Sequence, residues 1–262
     1  MARAVRLAPP DWSLPRAALA AAFPARTKLL VLNSPMNPTG RVFTVDDLTW
    51  LAEQLVAHDV YALCDEVYEH LTFGAARHVP LMTRPGMRER ALRIGSAGKT
   101  FSMTGWKVGY VTGPAPLIRA VGKAHQLVTF TTPPNLQHAV AQGLALEPAY
   151  FDGLGPAMAT GRDRLAAGLA ELGLPTLPSD GTYFLVADAA AWMHPGEDDI
   201  AFCHRLVVEA GVVVIPMSAF YLDAPPPSLI RFCFCKAPAT LDRKSTRLNS
   251  SHSRRSRMPS SA

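Results

Sequence analysis

From residue 28 onward, apolar residues come in short unbroken runs separated by stretches with helical spacing. The runs at 28–32, 60–64, 91–95 and 107–112 lack the polar alternation of a half-exposed strand, so each predicts a strand covered on both faces. Between the first two, Thr44-x-x-Asp47 predicts a helix start of the capping-box kind, with Asp where Glu or Gln is usual. Leu48, Leu51 and Leu55 fall on one face behind it. Helical patterns follow at 135–146, 150–172 and 199–210, with strands at 183–187, 212–215 and 229–235. The apolar piece at 17–23 predicts the opening of another helix. Such strands separated by helices imply an α/β fold built on a mostly parallel sheet. Beyond the long helix, the second block reads as a smaller α/β domain. The expected units are 1–148, 149–242 and a tail at 243–262.

The composition narrows the class. The chain has 262 residues, 48% hydrophobic and 18% charged, enough to bury a sizeable core. No apolar run approaches the ~20 residues of a membrane-spanning helix. Arg3 and Arg6 precede an Ala-rich stretch in the manner of a secretory signal, but Pro9, Pro10, Asp11, Pro15 and Arg16 break it up. The net charge of +5 is concentrated at one end. Residues 243–262 hold six basic side chains (Arg243, Lys244, Arg247, Arg254, Arg255, Arg257) and no acid. Without them the 26 Lys and Arg fall to 20, against 21 Asp and Glu. A neutral body excludes a body-wide nucleic-acid surface. The Ser/Arg-rich tail is expected to be a spurious extension of an interrupted reading frame rather than a native basic arm. Cys64, Cys203, Cys233 and Cys235 make no C-x-x-C pair and read as thiols of a reducing cytoplasm.

The candidate chemistry lies where strands end. Asn37, Asp65 and Lys99 each follow a predicted strand, and ligands of parallel sheets bind outside the carboxyl ends of the strands. Lys99 sits among Gly95, Ala97, Gly98 and Gly105, which predict backbone left bare for the approach of a planar ring. Gly98-Lys99-Thr100 imitates the end of a nucleotide-binding P-loop, but the required first glycine would be Arg93, and that reading fails on spacing. Asp65 and its neighbour Glu66 are equally able carboxylates, and Asp65 could simply be a helix cap. Arg231 stands in an apolar strand, as a partner for a carboxylate or as half of a structural salt bridge.

Taken together, NSPMNPTG at 33–40, D-x-x-Y at 65–68, SAGK at 96–99 and RFCFCK at 231–236 resemble the class I/II pyridoxal-phosphate aminotransferases of fold type I. The resemblance spans about residues 5–242. It implies pyridoxal 5′-phosphate held on Lys99, which also serves as the acid–base catalyst. It selects Asp65 to face the ring nitrogen, and implies Asn37 and Tyr68 at the ring's 3-oxygen and Ser96 and Lys107 at the phosphate. Lys107 stands where many relatives have arginine. Arg231 and Asn37 are implied to bind the substrate α-carboxylate. The implied partners are an L-amino acid, a 2-oxo acid and a second copy in a homodimer, with no nucleic acid and no membrane. Residues 101–110 and the RFCFCK ending look closest to the methionine, glutamine and kynurenine branch or to succinyldiaminopimelate aminotransferases. Members of this group are longer at the N-terminus, so an N-terminally truncated copy is expected. A carbon–sulfur β-lyase, an inactive fragment and a non-catalytic ligand-binding module are the competing readings.

Overall fold

A computed structural model describes residues 2–23, 26–242, 247 and 248. The tail expected at 243–262 lies outside the described residues except for Arg247 and Leu248. The first sheet has four strands in the order β1 (Leu29–Asn33), β2 (Tyr61–Asp65), β3 (Ala91–Ser96) and β4 (Gly109–Thr112). The first three are parallel, and β4 returns antiparallel to β3. Only a four-residue helix, α3 (Ala97–Thr100), and one 3-10 turn separate β3 from β4. That connection does not carry the chain across a sheet face, so β4 doubles back.

Helix α2 (Val45–Ala57) forms where the pattern requires it. Thr44 Oγ1 accepts from the Asp47 amide, and Asp47 Oδ2 accepts from the Thr44 amide, both at 3.1 Å, so the short Asp completes the box. Leu48, Leu51, Ala52 and Leu55 are buried against Leu32, Val60, Ala62 and Ala91. Each leucine so placed contributes about 1.5–3 kcal/mol. The N-terminal piece forms a single short helix, α1 (Arg16–Ala21). Two helices lie outside the predicted patterns: the short α3, and α4 (Ala115–Val128), which follows Pro114, has no side-chain cap and buries none of its residues. Pro116 near its start and Leu117, Ile118, Val121 and Val128 at helical spacing were the available signals.

Next come α5 (Pro134–Leu144) and the long α6 (Pro148–Ala170), which leads to a second, wholly antiparallel sheet of order β5 (Phe184–Asp188), β7 (Leu229–Cys233) and β6 (Ile215–Pro216). Helix α7 (Asp199–Ala210) has the predicted limits. Asp198 Oδ1 caps the Ala201 amide at 2.8 Å, and Gly211 ends the helix at φ 62°. Leu165 and Leu169 of α6 and Phe202 and Leu206 of α7 enclose Ile230 and Phe232, with Leu248 joining them. The extended run 212–215 pairs with β7 only from Ile215 on, so the strand is shorter than its pattern suggests. The N-terminal segment spans the two sheets. Trp12, 1% exposed, packs on Val186, Met217 and Leu229, while Leu7 touches this group and the core under α2.

A second tie lies at Gly40. Its carbonyl accepts from the Asp180 amide at 3.0 Å, and its φ is 76°. An added Cβ would fall 2.9 Å from the Gly181 carbonyl oxygen and would collide with the Ser179 side chain. Gly40→Ala is expected to cost about 2–4 kcal/mol, from left-handed strain and overpacking together; the urea midpoint measures it.

Ion pairing supplies a pH test. Arg205 grips Glu197 with two hydrogen bonds of 2.7 Å and reaches the Trp192 carbonyl at 2.9 Å. The guanidinium holds the Glu197 carboxyl down to about 2, against an ordinary 4.5. A depressed carboxylate stabilises the fold fully above its unfolded value, and that contribution is lost as pH falls toward the folded one. Glu197→Gln should therefore melt below the wild type at pH 7, and the two melting temperatures should converge between pH 4.5 and 2.

Candidate functional site

Strand register brings the polar ends together. Asn33 pairs with Asp65 across β1 and β2, Asp65 pairs with Ile94 across β2 and β3, and Ser96 follows two residues later at the same edge. Asn33 then fixes the N-P-T-G loop. Its Nδ2 donates to the Asp65 carbonyl at 2.9 Å, and its Oδ1 accepts from the Asn37 amide at 2.8 Å. Asn37 is thereby anchored to the strand that ends in Asp65.

The choice between Asp65 and Glu66 is decided by what each touches. Glu66 is 2% exposed, and its Oε2 binds Arg93 Nε at 2.7 Å and His78 Nε2 at 3.0 Å. That carboxylate is occupied by structure. Asp65 is only partly buried; its Oδ1 accepts from the Val67 amide at 3.3 Å, and it interacts electrostatically with Tyr68. A turn-capping bond therefore exists, alongside the carboxylate's proximity to the Tyr68 phenol.

Lys99 lies on α3 rather than in an open loop. Its Nζ stands 5.7 Å from the Tyr68 ring centroid and 5.7 Å from that of Tyr183, within cation–π range of both. The two rings meet edge to face at 5.1 Å, and the Tyr68 hydroxyl donates to that of Tyr183 at 3.5 Å. Burial is the main cause that raises the Tyr68 phenol above its ordinary value, and this hydrogen bond adds to it.

Arg231 comes from the other sheet. Its Nη1 donates to Asn37 Oδ1 at 2.5 Å, and its guanidinium lies 3.9 Å over the Phe184 ring and 5.1 Å from that of Phe220. No salt-bridge partner is found for it among the described residues. Its Nε is buried without a hydrogen-bond partner among them, and desolvation lowers its pKa from the ordinary value. A cavity of about 660 Å³ opens beside it, lined by Tyr183, Phe184, Ile215, Arg231, Cys233 and Lys236 among others.

The structure thus gathers Asn37, Asp65, Tyr68, Lys99 and Arg231. Ser96 is the residue before α3 and makes no side-chain capping bond there. Lys107 is exposed, at φ 56°, two residues before the start of β4 and so at the same end of the sheet as Ser96. The bare-backbone expectation needs correction. A Cβ at Gly95 would lie 2.2 Å from the Tyr110 ring, and one at Gly98 would lie 3.0 Å from the Thr104 Cα. Those two glycines admit parts of this chain. Gly105 alone of the three faces open space. Cys64 and Cys203 are buried, and burial pushes their thiols up to about 12, as inert core groups require.

Sequence reasoning missed Tyr183, Phe220 and Arg93. The run Gly181-Thr182-Tyr183-Phe184 was the available signal. Gly181 packs against the Leu71 carbonyl, and a Cβ there would come within 2.7 Å of that oxygen.

Comparison with known proteins gives the family. The family described as Aminotransferase class I and II matches residues 2–248. The methionine aminotransferase of Escherichia coli is 40% identical over 235 residues, which cover 90% of this chain and 60% of that protein. The probable N-succinyldiaminopimelate aminotransferase of Mycobacterium tuberculosis is 43% identical over 88% of this chain and 60% of its own length. Among solved structures, the N-succinyldiaminopimelate aminotransferase from Mycobacterium tuberculosis superimposes with a TM-score of 0.87 at 44% identity, covering 91% of this chain and 62% of that one. The chain therefore spans about three fifths of the length of these relatives. Its sheet order, its motifs and these matches make it a member of the class I and II aminotransferases.

Proposed function

We propose that this site transfers an amino group between an L-amino acid and a 2-oxo acid, with pyridoxal 5′-phosphate held on Lys99. The observation that carries the reading is the meeting of the two sheets at Asn37 and Arg231, beside an amine set between two phenols. The side chains suit such a group. Asp65 offers a carboxylate to a protonated ring nitrogen, Asn37 and Tyr68 offer donors to its 3-oxygen, and Ser96 and Lys107 serve its phosphate. When bound, the cofactor supplies an electron sink for charge developing at the substrate α-carbon.

The remaining work falls to this chain's residues. Arg231, with Nε still unpaired, takes the substrate α-carboxylate in a two-pronged grip, and Asn37 steadies its Nη1. Lys99 Nζ removes the α-proton as base and returns a proton as acid. Asp65 is the carboxylate left to face the cofactor, because Glu66 is taken up by Arg93 and His78. Tyr183, Phe184 and Ile215 line the space beside Arg231. Donors resembling methionine, kynurenine or N-succinyldiaminopimelate are the first to screen, since those substrates name the relatives.

Residues 149–242 form the smaller domain in this reading and 1–148 part of the larger. A homodimer in the cytoplasm is the proposed working state. Exposed Leu127, Val128 and Phe130 at the end of α4 offer apolar surface for a second copy.

Lys99→Ala is expected to lose both the absorption band of lysine-bound cofactor and all transamination; retention of either refutes the assignment. Arg231→Lys keeps the charge and loses the fork. It should raise KM for the amino donor roughly 10- to 100-fold with kcat far less affected, as steady-state kinetics would measure.

A further inference from the structure

Behind the turn that carries Asp65 and Tyr68 lies a buried charge cluster that no step above uses. Glu66 binds Arg93 Nε at 2.7 Å and His78 Nε2 at 3.0 Å. Arg93 Nη2 pairs with Glu69, whose Oε1 also accepts the Tyr110 hydroxyl at 3.0 Å. His70 Nε2 lies 3.7 Å from the same carboxylate. Arg93 sits on β3 opposite Cys64 of β2, and Tyr110 sits on β4. The missing side chain of Gly95 lets the Tyr110 ring lie across β3 to reach Glu69.

The order of residues gives this cluster its meaning. Asp65 and Tyr68 serve the site, while Glu66 and Glu69, each one residue later, are held by one guanidinium. Past Asp65 the chain leaves the sheet. After the Glu66 amide bonds to the Ile94 carbonyl, only turn hydrogen bonds follow until the Leu71 carbonyl, which accepts from the Thr182 amide at 2.8 Å. A run of turns does not by itself fix side-chain direction. Packing on Leu71, Phe184 and Tyr183 holds the Tyr68 ring from the front, and a planar guanidinium gripping two carboxylates three residues apart holds the turn from behind. Net stability is a poor account of the cluster, because buried ion pairs are often matched or exceeded in stability by neutral groups of similar size.

We propose that Arg93 is a positioning residue: by holding Glu66 and Glu69 behind the turn, it fixes the direction in which Asp65 and Tyr68 face the site. The inference rests on the roles given to those two residues under Proposed function. Arg93→Lys keeps a charge with a single donor head. The pair Glu66→Gln/Arg93→Met keeps volume and removes both of its own charges, while Glu69 retains the Tyr110 hydroxyl and His70 beside it.

Three readouts on the full chain separate positioning from stability. They are the melting temperature without cofactor, the dissociation constant for pyridoxal phosphate, and the pH titration of the absorption of lysine-bound cofactor. The double variant is expected to melt within a few degrees of wild type, to bind cofactor roughly tenfold or more weakly and to titrate at a shifted pH. Arg93→Lys should fall between the two. A folded double variant with wild-type affinity and an unshifted titration overturns the proposal. Should the double variant fail to fold, Tyr110→Phe and Glu69→Gln each loosen one contact. Both are expected to shift affinity and titration in the same direction, and wild-type values in both overturn the proposal. A wild type that takes up no cofactor defeats the transamination reading instead. The near-ultraviolet circular dichroism of Tyr68, isolated by difference from Tyr68→Phe, then judges the clamp alone. An unchanged Tyr68 signal in Arg93→Lys overturns it, and an altered one supports it.

Discussion

A guanidinium set into an apolar strand must find partners or lose several kcal/mol. Arg231 finds one of them in Asn37, 194 residues away in the sequence. Because Asn37 is bonded through Asn33 to the end of β2, this contact draws the second sheet against the polar edge of the first. The faces of Phe184 and Phe220 shield the rest of the guanidinium. Its Nε is buried with no hydrogen-bond partner among the described residues, which supports the binding role proposed for it.

The first sheet contributes through register. Three parallel strands end side by side, so residues from 33 to 99 emerge within one short edge. The second sheet contributes through Tyr183, at the entrance to β5, which closes on Lys99 and Tyr68. Trp12 and Gly40 hold the sheets in this relation by unlike means, one by filling the junction and the other by leaving room in it. Family membership follows from matches along nearly the whole chain. The activity is argued from the side chains themselves.

Local signals announced a large part of this arrangement. Thr44 and Asp47 formed the box their spacing required, and α7 ran between Asp198 and Gly211 because both caps are written beside it. The strands came within one or two residues of their apolar runs, apart from β6. Helix α4 has no capping side chain and no buried stripe, although its apolar residues recur at helical spacing. Glycine composition misled near Lys99. Bare backbone shows that something approaches closely, and at Gly95 the visitor is Tyr110 of the adjacent strand.

By itself, then, the sequence determined most of the elements and the motifs, since these depend on residues a few positions apart. Tertiary structure separated Asp65 from Glu66 by giving Glu66 to Arg93 and His78, in line with the choice the resemblance implied. It alone turned β4 antiparallel, set Tyr183 against Lys99 and joined Arg231 to Asn37. The physical reason is range. Capping and periodicity act within a turn or two of chain, whereas the partner of a buried charge is chosen by which distant strand ends packing brings within hydrogen-bond reach.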